Sequence, residues 1–157
     1  MATRYPESEF LYLHPHEPNG AVEKRVQTYI KSTEIFFKEV EHWLAPFLAK
    51  GLSISRGPHF FLFWDAHYKV PSLNIDFDGR RLQLIPSGIS MRSWGVIQFS
   101  RELEDRESDL CGVTLTQQNE EPYGWYEVIR DGRGFPTNYV SFTEARFLEI
   151  LNEVFGL

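Results

Sequence analysis

The period of the apolar residues changes once along this chain, and that change constrains the fold more than any other feature. From residue 22 to residue 47, mainly apolar and aromatic side chains recur at alternating steps of four and three, which places them on one helical face. That face consists of Val22, Val26, Tyr29, Thr33, Phe36, Val40, Trp43 and Phe47. From residue 54 onward the period is two, which is typical of half-buried strands. The order predicts an α+β fold with a mostly antiparallel sheet, because the short connections leave no room for crossover helices.

The first helix is predicted over residues 21–49. Pro46 is expected to end or kink this helix near residues 43–45, because proline disfavours the helical conformation of the residue before it. The glycine of residues 50–51 then marks the stop after a final turn. Residues 1–20 are predicted to form a Pro-rich arm, since three prolines there forbid a continuous helix.

The clearest hairpin of the sequence spans residues 73–85. Its turn is the pair Asp78 and Gly79, which is favoured in two-residue type I′ turns. The register that follows gives one apolar face and one complementary polar face, which supports it. The predicted pairs are Phe77 with Arg80, Asp76 with Arg81, Ile75 with Leu82, Asn74 with Gln83 and Leu73 with Leu84.

A single domain over residues 1–157 fits the length of the chain. Its strands lie within residues 54–130, and a C-terminal helix spans residues 141–155, opened by a capping box at Ser141 and Glu144. We expect about five strands, with the long and the short helix packed on one face of the sheet. The predicted strands besides the hairpin are 60–64, 93–100, 110–117 and 125–130.

The expected core collects the inward side chains of both helices and of the strands. Its members are Val26, Ile30, Phe37, Val40, Leu44, Phe61, Phe63, Ile75, Leu82, Val113, Leu115, Val128, Phe147, Leu151 and Phe155.

The charge and composition of the chain bound its function. A formal net charge of −6 argues against nucleic acid as a direct ligand, which requires clustered Lys and Arg. With one cysteine, Cys111, the chain can form no internal disulfide. Neither the apolar core of a signal peptide nor a membrane-spanning run is present, so the expected location is the cytoplasm.

The acidic segment, residues 101–109 (RELEDRESD), lies between two predicted strands and carries a net charge of −3. A second acidic pair is followed by aromatic residues, and aromatics among acids can form the centre of a protein interface. Two interpretations are open: a solvated connection that keeps the protein soluble, or a surface that docks on a basic partner. The residues predicted to bind a partner are Glu102, Glu104, Asp105, Glu107, Asp109, Glu120, Glu121, Tyr123 and Trp125.

Two histidine groups offer a different function, a small metal-dependent or ligand-binding enzyme. They are His14 with His16, and His59 with Asp65 and His67. Residues two apart on an extended chain project from one face, so the two groups together could supply a metal site. Their spacing matches no known ligand pattern, and surface histidines beside turns explain it equally well. We therefore predict no metal and no cofactor.

Three further candidates have simpler structural explanations. Cys111 falls on the apolar face of its strand, where a free cysteine acts as a small hydrophobe. Asp76 and Asp78 are accounted for by the hairpin. The glycine-rich residues 131–135 (DGRGF) follow a strand without opening a helix, so they predict a turn and not a phosphate loop. No catalytic residue is predicted.

The sequence thus favours a non-enzymatic protein-binding module. In its most specific form this is a small acidic inhibitor, similar in kind to an immunity protein, an antitoxin or a phage-encoded antagonist. It would mask a basic site on a partner such as a nucleic-acid-processing enzyme or a toxin. The oligomeric state does not follow from the sequence.

Overall fold

The computed structural model describes residues 20–90, 93–103, 106–115 and 124–157, which form an α+β arrangement of two helices and nine strands. The α+β class is confirmed, whereas the expected number of about five strands was too low. In chain order the elements are α1 (Ala21–Leu48), β1 (Ser53–Gly57), β2 (Phe60–Phe63), β3 (Ala66–Lys69), β4 (Ser72–Phe77), β5 (Arg80–Ser90), β6 (Ser93–Leu103), β7 (Arg106–Leu115), β8 (Trp125–Arg130), β9 (Pro136–Ser141) and α2 (Glu144–Phe155).

Seven of the strands form one antiparallel sheet, in the order β1-β4-β5-β6-β7-β8-β9. The other two, β2 and β3, pair with each other in a small second sheet. The predicted strand 60–64 is β2, but it ends at Phe63 because Trp64 and Asp65 adopt positive φ angles of 51° and 62°. The chain reverses there and returns as β3, so one predicted strand is in fact one arm of a hairpin.

Strand β9 was not predicted, and its exposure explains why. All six of its residues are exposed, so the alternation of apolar and polar residues that marks a half-buried strand is missing. It forms an edge of the large sheet and pairs with β8. The side chain of Asn138 accepts a hydrogen bond from the backbone N–H of Tyr139, at 2.9 Å.

The β4–β5 hairpin confirms the predicted register pair for pair. Asp78 and Gly79 both have positive φ angles, 51° and 76°, as a type I′ turn requires. On the polar face, the guanidinium of Arg81 donates to the Asp76 carboxylate at 2.7 Å. Turn chemistry and cross-strand pairing therefore specify the same alignment, which is why the sequence alone sufficed.

Both helices pack on one face of the large sheet, as expected. Phe37 and Leu44 of α1 and Phe147 of α2 belong to one buried cluster. The expected core is confirmed except at Ile30 and Val128, which are half-buried. The strand residues that complete the cluster include Leu73, Ile75, Leu82, Leu84, Ile97, Phe99 and Val113.

Helix α1 continues through Pro46 to Leu48, so the predicted end near residues 43–45 was wrong, and the kink expected there as the alternative stays a prediction. Proline cannot donate the hydrogen bond to the carbonyl four residues earlier, but only two residues of the helix follow it, so any distortion affects little of α1. Trp43 and Phe47 on either side of it pack against the core and hold that turn in place. Gly51, with a φ of 101°, then turns the chain toward β1.

The start of α2 differs from its prediction, and its end agrees. Thr143, and not Ser141, caps the helix, because its hydroxyl accepts from the backbone N–H of Arg146 at 3.2 Å. Ser141 is instead the last residue of β9. At the other end Gly156 adopts a left-handed conformation and donates to the carbonyl of Asn152, which confirms the predicted stop.

A second buried cluster fixes the N-terminal half of α1 against the β5–β6 end of the sheet. The hydroxyl of Tyr29 donates to the carbonyl of Val96 at 2.6 Å and accepts from the N–H of Gly88 at 3.1 Å. A side chain at Gly95 would overlap the Tyr29 ring, so this position requires glycine. Burial raises the pKa of Tyr29 above its ordinary value, so the hydroxyl stays protonated. The small sheet contributes Phe61 to the same cluster.

Candidate functional site

The acidic segment does not form a long loop. Strand β6 runs to Leu103 and β7 begins at Arg106, while Glu104 and Asp105 lie outside the described residues. The segment was interpreted as a connection because charged residues seldom occupy strands that cover a core. Glu102 and Glu107 are exposed at these strand ends, so their charged side chains pay no desolvation penalty there.

We call the exposed carboxylates of Glu102, Glu107 and Asp109 the acidic end. Glu102 lies directly opposite Glu107 in the ladder between β6 and β7. Like charges in directly opposed positions destabilise a strand pair. The stability of the hairpin therefore does not explain why both positions 102 and 107 are glutamate. Asp109 lies opposite Ser100, next to a register shift that leaves Leu110 as an extra residue of β7.

The basic residue Arg81 interacts with the acidic end and moderates its charge. Arg81 donates to the carboxylate of Asp76, and this hydrogen bond, together with the charges of Asp76 and Glu102, raises the pKa of Arg81. The negative charge of Glu102 is therefore partly balanced by the guanidinium of Arg81 in the same chain.

Of the described residues that were predicted to bind a partner, Trp125 lies apart from the three carboxylates of the acidic end. Trp125 pairs with Leu115, at the end of β7 opposite Asp109. The six steps along β7 from Asp109 to Leu115 span roughly 20 Å at about 3.3 Å per residue. Glu120, Glu121 and Tyr123 lie outside the described residues. Within the described part, Trp125 thus belongs to a different region from the acidic end.

That region is a groove between α1 and the paired ends of β8 and β9, with a volume of about 840 Å³. We call it the aromatic groove. Its size falls in the range of small-molecule and peptide sites, roughly 300–1,000 Å³. It is lined by Lys24, Gln27, Thr28, Lys31, Ser32, Ile35, Phe36, Glu39, Trp43, Gly124, Trp125, Tyr126, Ser141 and Phe142.

The floor of the aromatic groove is a connected set of rings. Phe36 is buried at its centre, and its ring lies 5.4 Å from Trp125, 5.8 Å from Phe142 and 6.4 Å from Trp43. The three outer rings are half-buried, so each packs on Phe36 and also contributes surface to the groove. Mutual packing of this kind holds aromatic side chains in place before any ligand arrives.

One wall of the aromatic groove is a polar face of α1. Lys24 and Lys31 are both exposed there, and neither forms an ion pair within the part of the chain that the structure describes. Ile35, on the same wall, is 56% exposed although it is a large apolar residue. Sequence reasoning selected Trp125 as a partner-binding residue but missed the α1 wall, because a charged helix face normally meets only water. Ile35, apolar but outside the core stripe, was a signal for that wall.

The other predicted candidates take structural roles or stay apart. Among residues 20–90, 93–103, 106–115 and 124–157, no three His, Cys, Asp or Glu side chains come together as metal ligands would. His67 lies on β3 opposite Leu62, whereas His59 precedes β2 at the other end of that hairpin. His14 and His16 lie outside the described residues.

Cys111 and the turn after β8 follow their predictions. Burial, with a further contribution from the charge of Glu127, raises the pKa of the Cys111 thiol to about 12, so it carries its proton at neutral pH. Asp131 accepts hydrogen bonds from the backbone N–H groups of Arg133 and Phe135, which builds the turn of residues 131–135. In the described ranges, no helix is both long and apolar enough to cross a membrane.

Comparison with protein-family models, with curated proteins and with solved structures returned no match.

Proposed function

We propose that this protein is a non-enzymatic protein-binding module, a small acidic inhibitor that places its acidic end on a basic site of a partner protein. The observation that carries this proposal is the direct opposition of Glu102 and Glu107, both exposed, at the end of a hairpin. A cation placed between these two carboxylates would relieve their repulsion. A basic partner would therefore offset a repulsion between the two carboxylates that Arg81 relieves only in part.

The chemistry of the acidic end also suggests the class of partner. Enzymes and toxins that act on nucleic acids must present clustered Lys and Arg to the phosphates of their substrates. A surface with three carboxylates on a chain of net charge −6 is attracted to such a groove over several ångströms. Trp125 lies at the other end of β7, so the docking surface proposed here consists of the acidic end without that residue.

A charge-reversal experiment with a matched control tests the proposal. The protein is immobilised and exposed to a lysate of its source cells at low and moderate salt, and the retained basic protein is identified and purified. Glu102→Lys with Glu107→Lys should then slow association by at least about tenfold, because steering contributes roughly 10–1,000-fold to such rates. The control, Glu23→Lys with Glu153→Lys, makes the same change in net charge at other exposed positions.

Equal association rates for the two double variants would reduce the effect to net charge and refute the docking surface. A retained protein that stays bound to the Glu102→Lys, Glu107→Lys variant, with binding insensitive to salt, would likewise refute it.

A further inference from the structure

The aromatic groove lies away from the acidic end and takes no part in the function proposed above. We propose that it is a second recognition site, which binds an extended acidic segment of a partner protein with a large apolar side chain on its floor. The inference uses only the dimensions, the charges and the aromatic floor of the groove, so it does not depend on the acidic end.

The length of the groove favours a peptide segment over a small molecule. Its lining residues on α1 run from Lys24 to Trp43, and these 19 steps span roughly 28 Å at about 1.5 Å per residue. An extended chain of about eight residues covers that distance at roughly 3.3 Å per residue.

The charges along the α1 wall favour acidic residues in that segment and give it a direction. Lys24 and Lys31 lie two helical turns apart, roughly 10 Å. Acidic residues that project from one face of an extended chain lie two positions, about 7 Å, or four positions, about 13 Å, apart, and flexible lysine side chains reach either spacing. Glu39 lines the groove farther along α1 and would repel an acidic residue there. The acidic residues of the segment therefore lie toward the N-terminal end of α1.

The floor favours a large apolar side chain next to those acidic residues. Trp125, Phe142 and Trp43 surround Phe36 beside the exposed Ile35. Phe36 and Trp43 lie farther along α1 than the lysine pair, and Trp125 spans both levels because its ring also packs on Tyr29, at 6.5 Å. Because these rings already pack on one another, an incoming side chain gains apolar contact without ordering the site. Buried aromatic anchors beside a charged rim are the usual centres of binding energy in protein interfaces.

A synthetic peptide of sequence Ala-Glu-Ala-Glu-Ala-Leu-Phe-Ala, whose two glutamates share one face of an extended chain, is the probe. The indole N–H signals of the tryptophans in the full chain are the readout. Titration should shift the signals of Trp43 and Trp125 saturably and leave that of Trp64, which does not line the groove, in place. Affinity should fall by at least about tenfold in Lys24→Glu with Lys31→Glu, since two attractive contacts become repulsive. Lys50→Glu with Lys69→Glu, the same change in net charge at exposed positions outside the groove, should bind as the unchanged protein does.

Four outcomes would overturn the proposal. The first is an absence of any shift, and the second is an equal shift with a control peptide that has lysines in place of the glutamates. The third is binding seen only in the full chain with Phe10→Ser and Tyr12→Ser, which would make the chain's own first residues the occupant. The fourth is concentration-dependent self-association that Lys24→Glu with Lys31→Glu abolishes, which would make a second copy the occupant.

Discussion

The acidic end and the aromatic groove lie at opposite ends of β7 and are built in opposite ways. The carboxylates of the acidic end fall within eight consecutive positions, from Glu102 to Asp109, on two strands that pair with each other. The floor of the groove joins Phe36 to Trp125, which are 89 positions apart in the chain. A charged surface made by neighbours in sequence can be found without a structure, whereas a surface assembled by packing cannot.

The two regions also differ in the contacts that stabilise them. The acidic end is formed by a hairpin whose opposed carboxylates work against its own stability. The groove depends on the position of α1, which the buried hydroxyl of Tyr29 fixes against β5 and β6. Substitutions in this second cluster should therefore affect the groove and leave the acidic end largely unchanged.

The largest effect is expected for Gly95→Ala. The new methyl group would overlap the Tyr29 ring, and Gly95 has a φ of 146°, which side chains rarely adopt. Overpacking and backbone strain together should lower the free energy of unfolding by about 3 kcal/mol or more. Urea unfolding measures the loss, and hydrogen exchange should show it first in the N-terminal half of α1.

Gly132→Ala is the matched control, since a methyl group there would meet no atom within 4 Å. If Gly95→Ala leaves the hydrogen exchange of α1 unchanged, or loosens the β6–β7 hairpin equally, the contrast between the two regions does not hold.

An intermediate effect is expected for Tyr29→Phe. The substitution leaves the carbonyl of Val96 and the N–H of Gly88 without their partner in a buried setting, at a cost of about 1–3 kcal/mol. Thermal unfolding measures this cost. A loss below about 0.5 kcal/mol would mean that the ring, and not the hydroxyl, positions α1.

The same variant tests the pH dependence of stability. Because burial raises the pKa of Tyr29, its hydroxyl ionises more readily in the unfolded chain, where the pKa is about 10. Its contribution is fully present below about pH 10 and is lost as the pH rises further, since the unfolded state then releases the proton first. Urea unfolding between about pH 8 and 11 should show a shallower decline for Tyr29→Phe. Cys111 contributes equally in both proteins, so parallel curves would exclude Tyr29 as the cause.

The smallest effect, and one of opposite sign, is expected for Glu107→Lys. It replaces a repulsive cross-strand pair with an attractive one, which should stabilise the protein by about 0.2–1 kcal/mol. Thermal unfolding at low salt measures the gain, and added salt should reduce it. A loss of stability would show that the opposed carboxylates do not repel each other, and the observation behind the proposed function would disappear.

The sequence predicted those parts of the fold in which local chemistry and packing agree. Asp78 and Gly79 specify a turn, the flanking residues pair by charge and apolarity, and the β4–β5 register follows. Helix α1 was predictable for a similar reason: nearly all of its large apolar residues lie on one face, so each of them indicates the same helix.

The remaining parts depend on distant contacts or lack a local signal. Strand β9 carries no burial pattern, and α1 passes Pro46 because the core holds Trp43 and Phe47. The same reason explains the candidate site. The charges of the acidic end were predicted from neighbouring residues of the sequence, whereas the residues that contact Trp125 were not. Neither the helix face that borders Trp125 nor its contact with Phe36 is encoded near position 125.

The hydroxyl of Tyr29 helps to set the width of the groove although Tyr29 does not line it. It bonds to strand backbone and not to any lining side chain, so the distance between α1 and the sheet is set from behind the floor. Exposed lining residues of α1 such as Lys24, Lys31 and Ile35 can therefore be exchanged, and the ligand preference altered, while the width of the groove is preserved. Conversely, a scan of the lining alone would overlook the residue on which the dimensions of the groove depend.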